Sequence, residues 1–307
     1  MKKVNIIMAT YNGRLYVKEQ IESILRSTYQ NFVITVCDDG STDGTINILE
    51  QMSKEYPEKI HLCQNSENKG VIRNFLETAY EMKDGYVMFC DQDDVWEETK
   101  IEKSVERICK MEKRYGTDVP VAVYADACVV NQDLDVIAPS FHGQSKLNTK
   151  KIDFDHLLME NKLLGCTIIF NQALNQKLDY IPQHARMHDW WVGLIATSFG
   201  RVSYISEPLL LYRQHETNVV GNQSFQSYVM NRIASLNKQK KVIQDTIMQG
   251  QEFYKVFYDD MGVSQRKTLR AFASLNQKNW FQRRKIIIQH GFLKSGFIRN
   301  IGLLLVI

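Results

Sequence analysis

The amino-acid sequence predicts an α/β fold in which a mostly parallel sheet is flanked by helices on both faces. Short apolar runs each end in a polar or glycine-containing turn, and a segment with helical periodicity follows each turn. Four such strand–helix units follow one another within the first 115 residues. In sheets of this kind ligands bind beyond the carboxyl ends of the strands, where these polar turns lie.

The elements are assigned in chain order. Strands at 4–9, 32–37, 60–63 and 86–90 precede helices at about 15–26, 45–54, 71–82 and 98–115. After Pro120, strands are predicted at 121–124, 166–170, 201–205 and 209–212, with a polar loop around 131–148. From about residue 224 the sequence is typical of helices that break near Gly262 and Gly291. We therefore divide the chain into an α/β domain, residues 1–222, and a helical extension, residues 223–307.

The bulk composition bounds the class of protein. With 307 residues, 44% of them hydrophobic and 24% charged, the chain is typical of a soluble globular protein with a substantial core. Six cysteines, none in a C-x-x-C pair, favour buried thiols in a reducing cytosol over a disulfide framework or a zinc site. The first apolar run is too short for a signal peptide, and we expect no membrane span.

Charge differs sharply between the two predicted parts. Residues 261–307 carry nine Lys or Arg and no Asp or Glu, whereas the first 260 residues carry 29 basic and 35 acidic groups. Cations mixed with apolar residues are typical of helices that lie at a membrane interface and meet anionic head groups. We therefore expect a cytoplasmic protein that associates peripherally with the plasma membrane. The alternatives are packing on the α/β domain or on a second subunit, while nucleic acid is disfavoured because no nucleic-acid fold is recognisable.

Three carboxylates within four residues follow the fourth apolar run, in the segment Asp91-Gln92-Asp93-Asp94. Carboxylates this close repel one another, and a turn that retains them usually binds a cation. Mg²⁺ or Mn²⁺, bound by one or two carboxylates and by diphosphate oxygens, meets that need. The alternative is a solvated acidic turn before the next helix, where Asp is also favourable.

The turn after the second strand, residues 37–45, contains a candidate nucleotide ligand. Asp39 stands where a carboxylate can accept a hydrogen bond from a nucleobase or a ribose hydroxyl. Ordinary turn chemistry, with glycines at positive φ, explains the same residues and is compatible with binding. In the turn after the first strand, Tyr11 either stacks on a nucleobase or covers the sheet edge.

A third candidate is Asp189, which stands beside two tryptophans in the segment 187–191. An acidic residue that is partly desolvated in this way has a raised proton affinity, which suits a general base acting on a hydroxyl. The indoles of Trp190 and Trp191 can offer a face to a sugar ring. The alternative, which the five residues alone favour, is an N-cap Asp followed by two core tryptophans.

Arg213 and His215 follow the last predicted strand, in the segment 212–218. An arginine and a histidine in such a loop can grip a diphosphate and stabilise a leaving group. The alternative is an ordinary surface loop.

Taken in chain order, these segments resemble the family 2 glycosyltransferases of the GT-A fold. The resemblance covers about residues 3–221, and the ordered set of motifs is specific although each motif alone is weak. The motifs are Ala9-Thr10-Tyr11-Asn12-Gly13, Asp38-Asp39-Gly40-Ser41-Thr42-Asp43-Gly44-Thr45, Asp91-Gln92-Asp93-Asp94-Val95-Trp96 and His188-Asp189-Trp190.

The resemblance implies a role for each motif. Thr10, Tyr11 and Asp39 would hold the base and ribose of a sugar nucleotide, and Asp189 would be the catalytic base. The D-x-D motif would be Asp91 and Asp93, with Asp93 or Asp94 on the metal. The predicted site is completed by Arg73 and Arg213 on the donor, by His188, Trp190 and Trp191 on the acceptor or its sugar, and by His215 on the metal.

Within the family, three segments look most like bacterial rhamnosyltransferases, of streptococcal type, that build cell-wall or capsular polysaccharide. They are Asp-Gln-Asp-Asp-Val-Trp, Met-His-Asp-Trp-Trp and Tyr-Arg-Gln-His-Glu-x-Asn. This likeness implies dTDP-β-L-rhamnose as donor, and we expect a lipid-linked saccharide as acceptor, with a UDP-hexose donor as the alternative. The Gln-x-x-Arg-Trp motif of the processive synthases is absent from the sequence, which argues against processive polymerisation.

The implied mechanism is a single, inverting displacement. Asp189 takes the acceptor proton, while a metal on Asp93, together with Arg213 and His215, neutralises charge on the departing nucleoside diphosphate. Two other classes share the main features. A nucleotidyltransferase is disfavoured because the sequence has no glycine-rich loop with a Lys near the first strand, and a non-catalytic sugar-nucleotide-binding module is disfavoured because the acidic residues are all present.

Overall fold

The structure, a computed structural model, describes residues 1–215 and 236–307, and within these ranges it is a mixed sheet flanked by helices. The strands are β1 (Val4–Thr10), β2 (Phe32–Asp38), β3 (Ile60–Gln64), β4 (Tyr86–Cys90), β5 (Val95–Trp96), β6 (Val121–Val130), β7 (Val136–Ala138), β8 (Ile169–Phe170) and β9 (Arg201–Arg213). The helices are α1 (Val17–Leu25), α2 (Thr45–Glu55), α3 (Val71–Glu81), α4 (Lys100–Tyr115), α5 (Phe141–Gln144), α6 (Phe154–Leu157), α7 (Gln172–Asn175), α8 (His188–Phe199), α9 (Leu236–Phe257), α10 (Val263–Ala273), α11 (Trp280–His290) and α12 (Phe297–Val306).

The four predicted strand–helix units form the parallel half of the sheet. The spatial order is β3-β2-β1-β4-β8-β6-β9-β5, and β1 pairs in parallel with both β2 and β4. In that register Thr10 lies opposite Asp38, and Met8 lies opposite Cys90. The turns that follow β1, β2 and β4 therefore meet at one edge of the sheet, as the sequence predicts.

The second half of the sheet differs from the prediction. The strand β8 is antiparallel to β4 and β6, and residues 166–168 belong to a 3₁₀ turn and its exit rather than to a strand. The two strands predicted at 201–205 and 209–212 are one strand, β9, that runs through Pro208. Its register against β6 shifts where Asp126 faces Pro208, and such irregularities accommodate a residue that cannot donate a ladder hydrogen bond.

The C-terminal helices pack onto the α/β domain. The predicted breaks are confirmed, because Gly262 precedes α10 and Gly291 ends α11 at a φ of 69°. The predicted boundary at 222/223, the start of the helical region at 224 and residues 216–218 of the last motif lie outside the described residues. Buried side chains of α9–α12 share one hydrophobic cluster with Trp191 of α8, namely Phe253, Phe257, Leu269, Phe272, Ile287, Phe292 and Leu303.

Two further expectations concern thiols and membrane spans. All six cysteines are free, and three of them, Cys37, Cys90 and Cys166, are buried, whereas Cys63 is exposed. Among the described helices, none combines the length and apolar character needed to cross a bilayer.

Candidate active site

The turns after β1 and β2 are held together by short polar side chains. The Thr10 hydroxyl donates to Oδ2 of Asp38 at 2.8 Å, and Oδ1 of Asp38 accepts from the backbone N–H of Ser41 at 2.8 Å. The Ser41 hydroxyl donates to Oδ2 of the same carboxylate at 2.6 Å and accepts from the backbone N–H of Asn12 at 2.8 Å. Asp38 thus shapes the turn and leaves Asp39 as the carboxylate that faces the sheet edge.

Asp39 is held in place by the segment that leads into α3. Its Oδ1 accepts from the side chain of Asn65 at 2.9 Å and from the backbone N–H of Lys69 at 2.8 Å, and its Oδ2 accepts from Gly70 N–H at 2.8 Å. Gly70 has a φ of 80°, which favours glycine at this turn. Since a carboxylate oxygen offers two acceptor sites, Oδ2 retains capacity for a ligand donor.

Tyr11 and Arg73 are the exposed members of this edge. Tyr11 is 52% exposed as a residue, and its backbone N–H and carbonyl both hydrogen-bond to the side-chain amide of Gln92, at 2.9 and 3.1 Å. These hydrogen bonds join the turn after β1 to the acidic turn after β4. Arg73 lies on the outer side of α3 and pairs with Glu77, which Lys69 also contacts at 2.9 Å.

The acidic turn divides into an outer and an inner part. On the outer side, Oδ2 of Asp93 lies 2.8 Å from Nε2 of His215, whose ring stacks on Tyr16 at 4.8 Å between centroids. On the inner side, Asp94 is fully buried and its Oδ1 accepts from the backbone N–H of Arg213. The two carboxylates that the sequence left as alternatives for the metal therefore have different environments.

Arg213 fastens the acidic turn to the rest of the domain. Its guanidinium donates to the carbonyl oxygens of Asp93 and Gln132, at 2.8 and 2.5 Å, and pairs with Glu19. It also lies over the Tyr16 ring, 4.7 Å from the centroid. The structure thus surrounds this side chain with protein contacts and buries it.

Behind the acidic turn lies a buried cluster of ionisable groups. One carboxylate oxygen of Asp91, one of Asp94 and the Sγ atom of Cys166 all lie within 4.8 Å of one another. The ammonium of Lys100, the first residue of α4, is fully buried, donates to the Cys166 carbonyl at 2.5 Å and lies over the Trp96 ring. Burial lowers the pKa of Lys100 to about 8, although the surrounding acidic groups oppose the shift.

Asp189 lies close enough to this acidic turn for its charge to act on Asp91. Its Oδ2 accepts from the side chain of Asn161 at 3.0 Å, and its Oδ1 accepts from the N–H of Trp190 at 2.7 Å. Burial raises the pKa of Asp189 to about 6, against these hydrogen bonds. Burial and the charges of Asp93 and Asp189 raise the pKa of Asp91 to about 7, so the three carboxylates are close enough to interact.

Comparison with known proteins decides the family. A sequence model described as Glycosyl transferase family 2 matches residues 5–152. The dTDP-rhamnosyl transferase RfbG of Shigella flexneri is 31% identical over 237 residues, which are 72% of this chain and 76% of RfbG. The chain belongs to glycosyl transferase family 2.

Solved structures of glycosyltransferases show the same GT-A fold. S. aureus TarS 1–349 in complex with UDP-GlcNAc matches with a TM-score of 0.55 and 16% identity, over 94% of this chain and 80% of that one. The mannosyltransferase PcManGT from Pyrobaculum calidifontis, in complex with GDP-Man and Mn²⁺, matches with a TM-score of 0.52 and 16% identity, over 99% of this chain and 79% of that one. Both predictions, of the family and of the GT-A fold, are confirmed.

In this family 2 glycosyltransferase the segment 188–191 is more buried than the sequence prediction required. The Trp191 indole is fully buried and packs edge-on against Phe253 of α9 at 5.1 Å. It is therefore a core residue, contrary to the expectation of a sugar contact, because the C-terminal helices cover its side of α8. The Trp190 indole N–H donates to the Leu157 carbonyl at 2.6 Å.

His188 lies in an apolar environment beside the candidate base. Its ring stacks on Phe75 of α3 at 4.1 Å, and within the described residues neither ring nitrogen has a hydrogen-bond partner. Burial lowers the pKa of His188 to about 3, so the imidazole is neutral. A Cβ at Gly165 would lie 2.8 Å from Nε2 of His188, so the glycine makes room for the ring.

A cleft of about 660 Å³ opens next to this site. One wall is the start of α3 and the two residues before it, including Lys69 and Arg73, and the other wall consists of residues 181–183. The cleft thus lies between the segment that holds Asp39 and the segment that leads to Asp189.

Sequence reasoning missed three residues that build this site. Lys100 supplies positive charge beneath the acidic turn, Asn161 donates to Asp189, and Glu252 of α9 holds the chain before α8. For Lys100 a signal existed, since three adjacent carboxylates require cations and this lysine begins the next helix. The other two come from distant segments and carry no local signature.

Proposed function

We propose that this glycosyltransferase transfers L-rhamnose from dTDP-β-L-rhamnose, with inversion, to a hydroxyl of a lipid-linked saccharide during synthesis of a bacterial cell-surface polysaccharide. The observation that carries the proposal is the position of Asp189, a buried carboxylate that lies close to the acidic turn and has a raised pKa. The choice of rhamnose is supported by the 31% identity to RfbG, which is described as a dTDP-rhamnosyl transferase.

The proposed reaction is a single displacement in which Asp189 is the base. As the acceptor oxygen attacks the anomeric carbon, its proton moves to Asp189, and the bond between that carbon and the diphosphate oxygen breaks with its electron pair on the diphosphate. A carboxylate with a pKa near 6 is ionised at neutral pH and still basic enough to assist this transfer. Asn161 and the N–H of Trp190 fix the orientation of the carboxylate.

The outer part of the acidic turn fits a divalent cation. Asp93 and His215 present an oxygen and a nitrogen 2.8 Å apart. The carboxylate suits Mg²⁺ or Mn²⁺, whereas a site that also uses the imidazole nitrogen favours Mn²⁺, because Mg²⁺ prefers oxygen ligands. We propose Asp93 rather than Asp94 as the ligand, because Asp94 is turned into the protein. A bound cation would neutralise charge on the leaving diphosphate. PcManGT, solved with GDP-Man and Mn²⁺, supports this choice of cofactor.

The remaining predicted residues fall into two proposed groups. Thr10, Tyr11 and Asp39 would bind the nucleoside, with Arg73 at the edge of the same wall. Arg213 would act mainly by holding the acidic turn, since its guanidinium already contacts Asp93, Gln132 and Glu19. On the acceptor side we retain His188 and Trp190. We remove Trp191 from the proposed site, because its indole is part of the core.

The decisive experiment measures release of nucleoside diphosphate from a panel of sugar nucleotides, with Mn²⁺ or Mg²⁺ and with EDTA. We expect turnover of dTDP-rhamnose that requires the metal and increases with a lipid-linked saccharide. Turnover of a UDP-sugar instead would keep the mechanism and contradict the donor. Full activity in EDTA would contradict the metal, and binding of donors without turnover under any condition would favour a non-catalytic module.

We also propose that the enzyme docks on an anionic membrane through the last two helices. The surface consists of apolar side chains that are exposed along one face of each helix, namely Phe281 and Ile288 of α11 and Phe297, Ile301 and Leu305 of α12. Arg284 links α11 to the end of α12, since its guanidinium donates to the carbonyls of Ile307 and Leu305. Exposed Lys285 lies between the two apolar residues of α11, and an anionic surface complements such a face.

Flotation with vesicles tests this docking. Deleting the region is unsuitable, because Leu269, Phe272 and Phe292 belong to the core shared with α8. We expect the double variant Phe281→Ser, Leu305→Ser to lose binding to phosphatidylglycerol vesicles, while the control Val263→Ser, 84% exposed but outside this surface, retains it. Equal binding of both variants, or binding to pure phosphatidylcholine, would contradict the proposal.

A further inference from the structure

The chain segment that leads into α8 is fixed by hydrogen bonds to side chains of α9. This chain, residues 180–186, is called the base-side loop below. Both carboxylate oxygens of Glu252 accept hydrogen bonds from it, from the Tyr180 hydroxyl at 2.9 Å and from the backbone N–H groups of Gln183 and His184 at 2.8 and 2.7 Å. One turn earlier on α9, Gln249 accepts from the N–H of Arg186 at 2.7 Å.

A side chain of the base-side loop also contacts α9. The Arg186 guanidinium donates to the carbonyl of Val242 at 2.7 Å, two turns further back on α9. Residues 242, 249 and 252 therefore line one face of the helix, the face that also carries Phe253. Four hydrogen bonds to Glu252 and Gln249, together with the contacts of the Arg186 guanidinium to Val242 and Thr246, fix seven residues of loop along three turns of helix.

The polar contacts of Glu252 and Gln249 are not needed merely to attach α9 to α8. Phe253 and Phe257 already attach α9 to Trp191 by apolar contact. Glu252 and Gln249 are nonetheless buried, and burying a carboxylate costs free energy unless its oxygens are satisfied. The three N–H and O–H donors of the loop satisfy it, so the carboxylate and the loop conformation depend on each other.

The base-side loop lies next to the proposed site in two places. Its residues 181–183 form one wall of the 660 Å³ cleft, and Lys69 and Arg73 belong to the other. Its end, Arg186, is three residues before Asp189. The donor side is built separately, because Asp38, Asp39 and Asp93 take their hydrogen bonds from other segments.

We propose that Glu252 is a positioning residue for glycosyl transfer, which fixes the acceptor-facing wall of the cleft and the start of α8 without touching either substrate. Gln249 supports it at the end of the loop. This inference rests on the proposed function, since it assigns the wall opposite the donor side to the acceptor. A displacement of the loop by about 1 Å is expected to cost tenfold or more in rate, because transfer depends on the alignment of hydroxyl and base.

Glu252→Gln is the variant that tests the inference. The amide keeps one acceptor oxygen and the shape of the side chain, but it turns an N–H group toward a backbone N–H of the loop. We expect at least a tenfold loss of kcat/KM for the acceptor, with donor affinity unchanged within twofold. Hydrogen–deuterium exchange across residues 180–191 should accelerate at least tenfold, and exchange in 38–45 should not change.

The control is Gln265→Ala, which removes a different hydrogen bond between the C-terminal helices and α8, from Gln265 to the Ser198 carbonyl at the far end of that helix. It should leave acceptor kinetics unchanged. Should Glu252→Gln fail to fold, Tyr180→Phe removes only the outermost of the three hydrogen bonds and is expected to show the same pattern at smaller size.

The outcomes separate the two proposals. A wild-type enzyme without turnover on any donor would count against the proposed function alone, and exchange in 180–191 would still decide whether Glu252 holds the loop. Unchanged exchange would overturn the inference. Faster exchange with unchanged acceptor kinetics, or an equal loss of donor affinity, would overturn it as well.

Discussion

The two sides of the proposed active site are built in different ways. On the donor side, three turns follow parallel strands whose register alone brings them together, and the side chains that fasten them lie within those turns or in the segment that leads into α3. On the base side, Asp189 lies in the first turn of α8. The chain that leads into this helix is fixed by Gln249 and Glu252, which are separated from their partners by 63 and 72 positions in the sequence. The donor side is thus a property of the sheet, whereas the base side depends on the C-terminal helices.

Under the proposed function, this difference suits the two tasks of the site, which are to bind the donor and to position the acceptor. A donor site made by sheet geometry suits a substrate part that many glycosyltransferases share, the nucleoside diphosphate. A base-side wall held by separate helices can change with the acceptor while the sheet stays as it is. Each variant below is chosen to disturb one side and leave the other intact.

Replacing the proposed base should have the largest effect. Asp189→Asn keeps the size of the side chain but removes the proton acceptor, so we expect kcat to fall about 10³-fold. Donor affinity, measured by calorimetry, should stay within a few-fold. The exposed Asp133→Asn serves as control, and near-normal turnover of Asp189→Asn would exclude this residue as the base.

Removing a proposed metal ligand should disturb the donor side. In His215→Ala we expect a 10- to 100-fold higher Mn²⁺ concentration for half-maximal activity, because one ligand of the cation is lost. Acceptor KM at saturating metal should change little. His61→Ala, at an exposed histidine on β3, is the matched control, and equal metal titrations of the two variants would remove His215 from the site.

The pH dependence of the reaction rate should report the ionisation of Asp189. Since only the ionised carboxylate accepts a proton, the rate should rise with pH through about 6 and approach a plateau above it. Asn161 donates to the charged form and so lowers the pKa of Asp189, and Asn161→Ala should move this rise to higher pH. The variant should therefore lose several-fold more activity at pH 6 than at pH 8, and identical profiles would contradict the assignment.

The sequence predicts the strands and turns around the proposed donor side well because their signals are local. Each strand of the parallel half, each polar turn and the placement of Asp39 and Asp93 follow from neighbouring residues. The base side was predicted only as a motif. Nothing near Asp189 indicates Asn161, Glu252 or the phenylalanines that bury Trp191, because these contacts form only when distant segments fold together. Burial by the C-terminal helices turned one predicted sugar contact into core.

The smallest effects come from single hydrogen bonds on each side. Ser41→Ala removes the hydroxyl that links Asp38 to Asn12, and Gln249→Ala removes the acceptor of the Arg186 N–H. A net hydrogen bond contributes about 1 kcal/mol, so each change should alter kinetics by a few-fold. Ser41→Ala should raise the donor KM alone, and Gln249→Ala should affect the acceptor alone, with the half-buried Ser53→Ala on α2 as control.

The double variant of Ser41 and Gln249 sharpens the comparison further. The two hydrogen-bond networks share no residue, so their effects on kcat/KM should add to within about 0.5 kcal/mol. A coupling energy above about 1 kcal/mol would mean that the sheet edge and the base-side loop move together. Additivity, in contrast, is what two independently built walls require, since the free energy of positioning the donor then does not depend on how firmly α9 holds the acceptor wall.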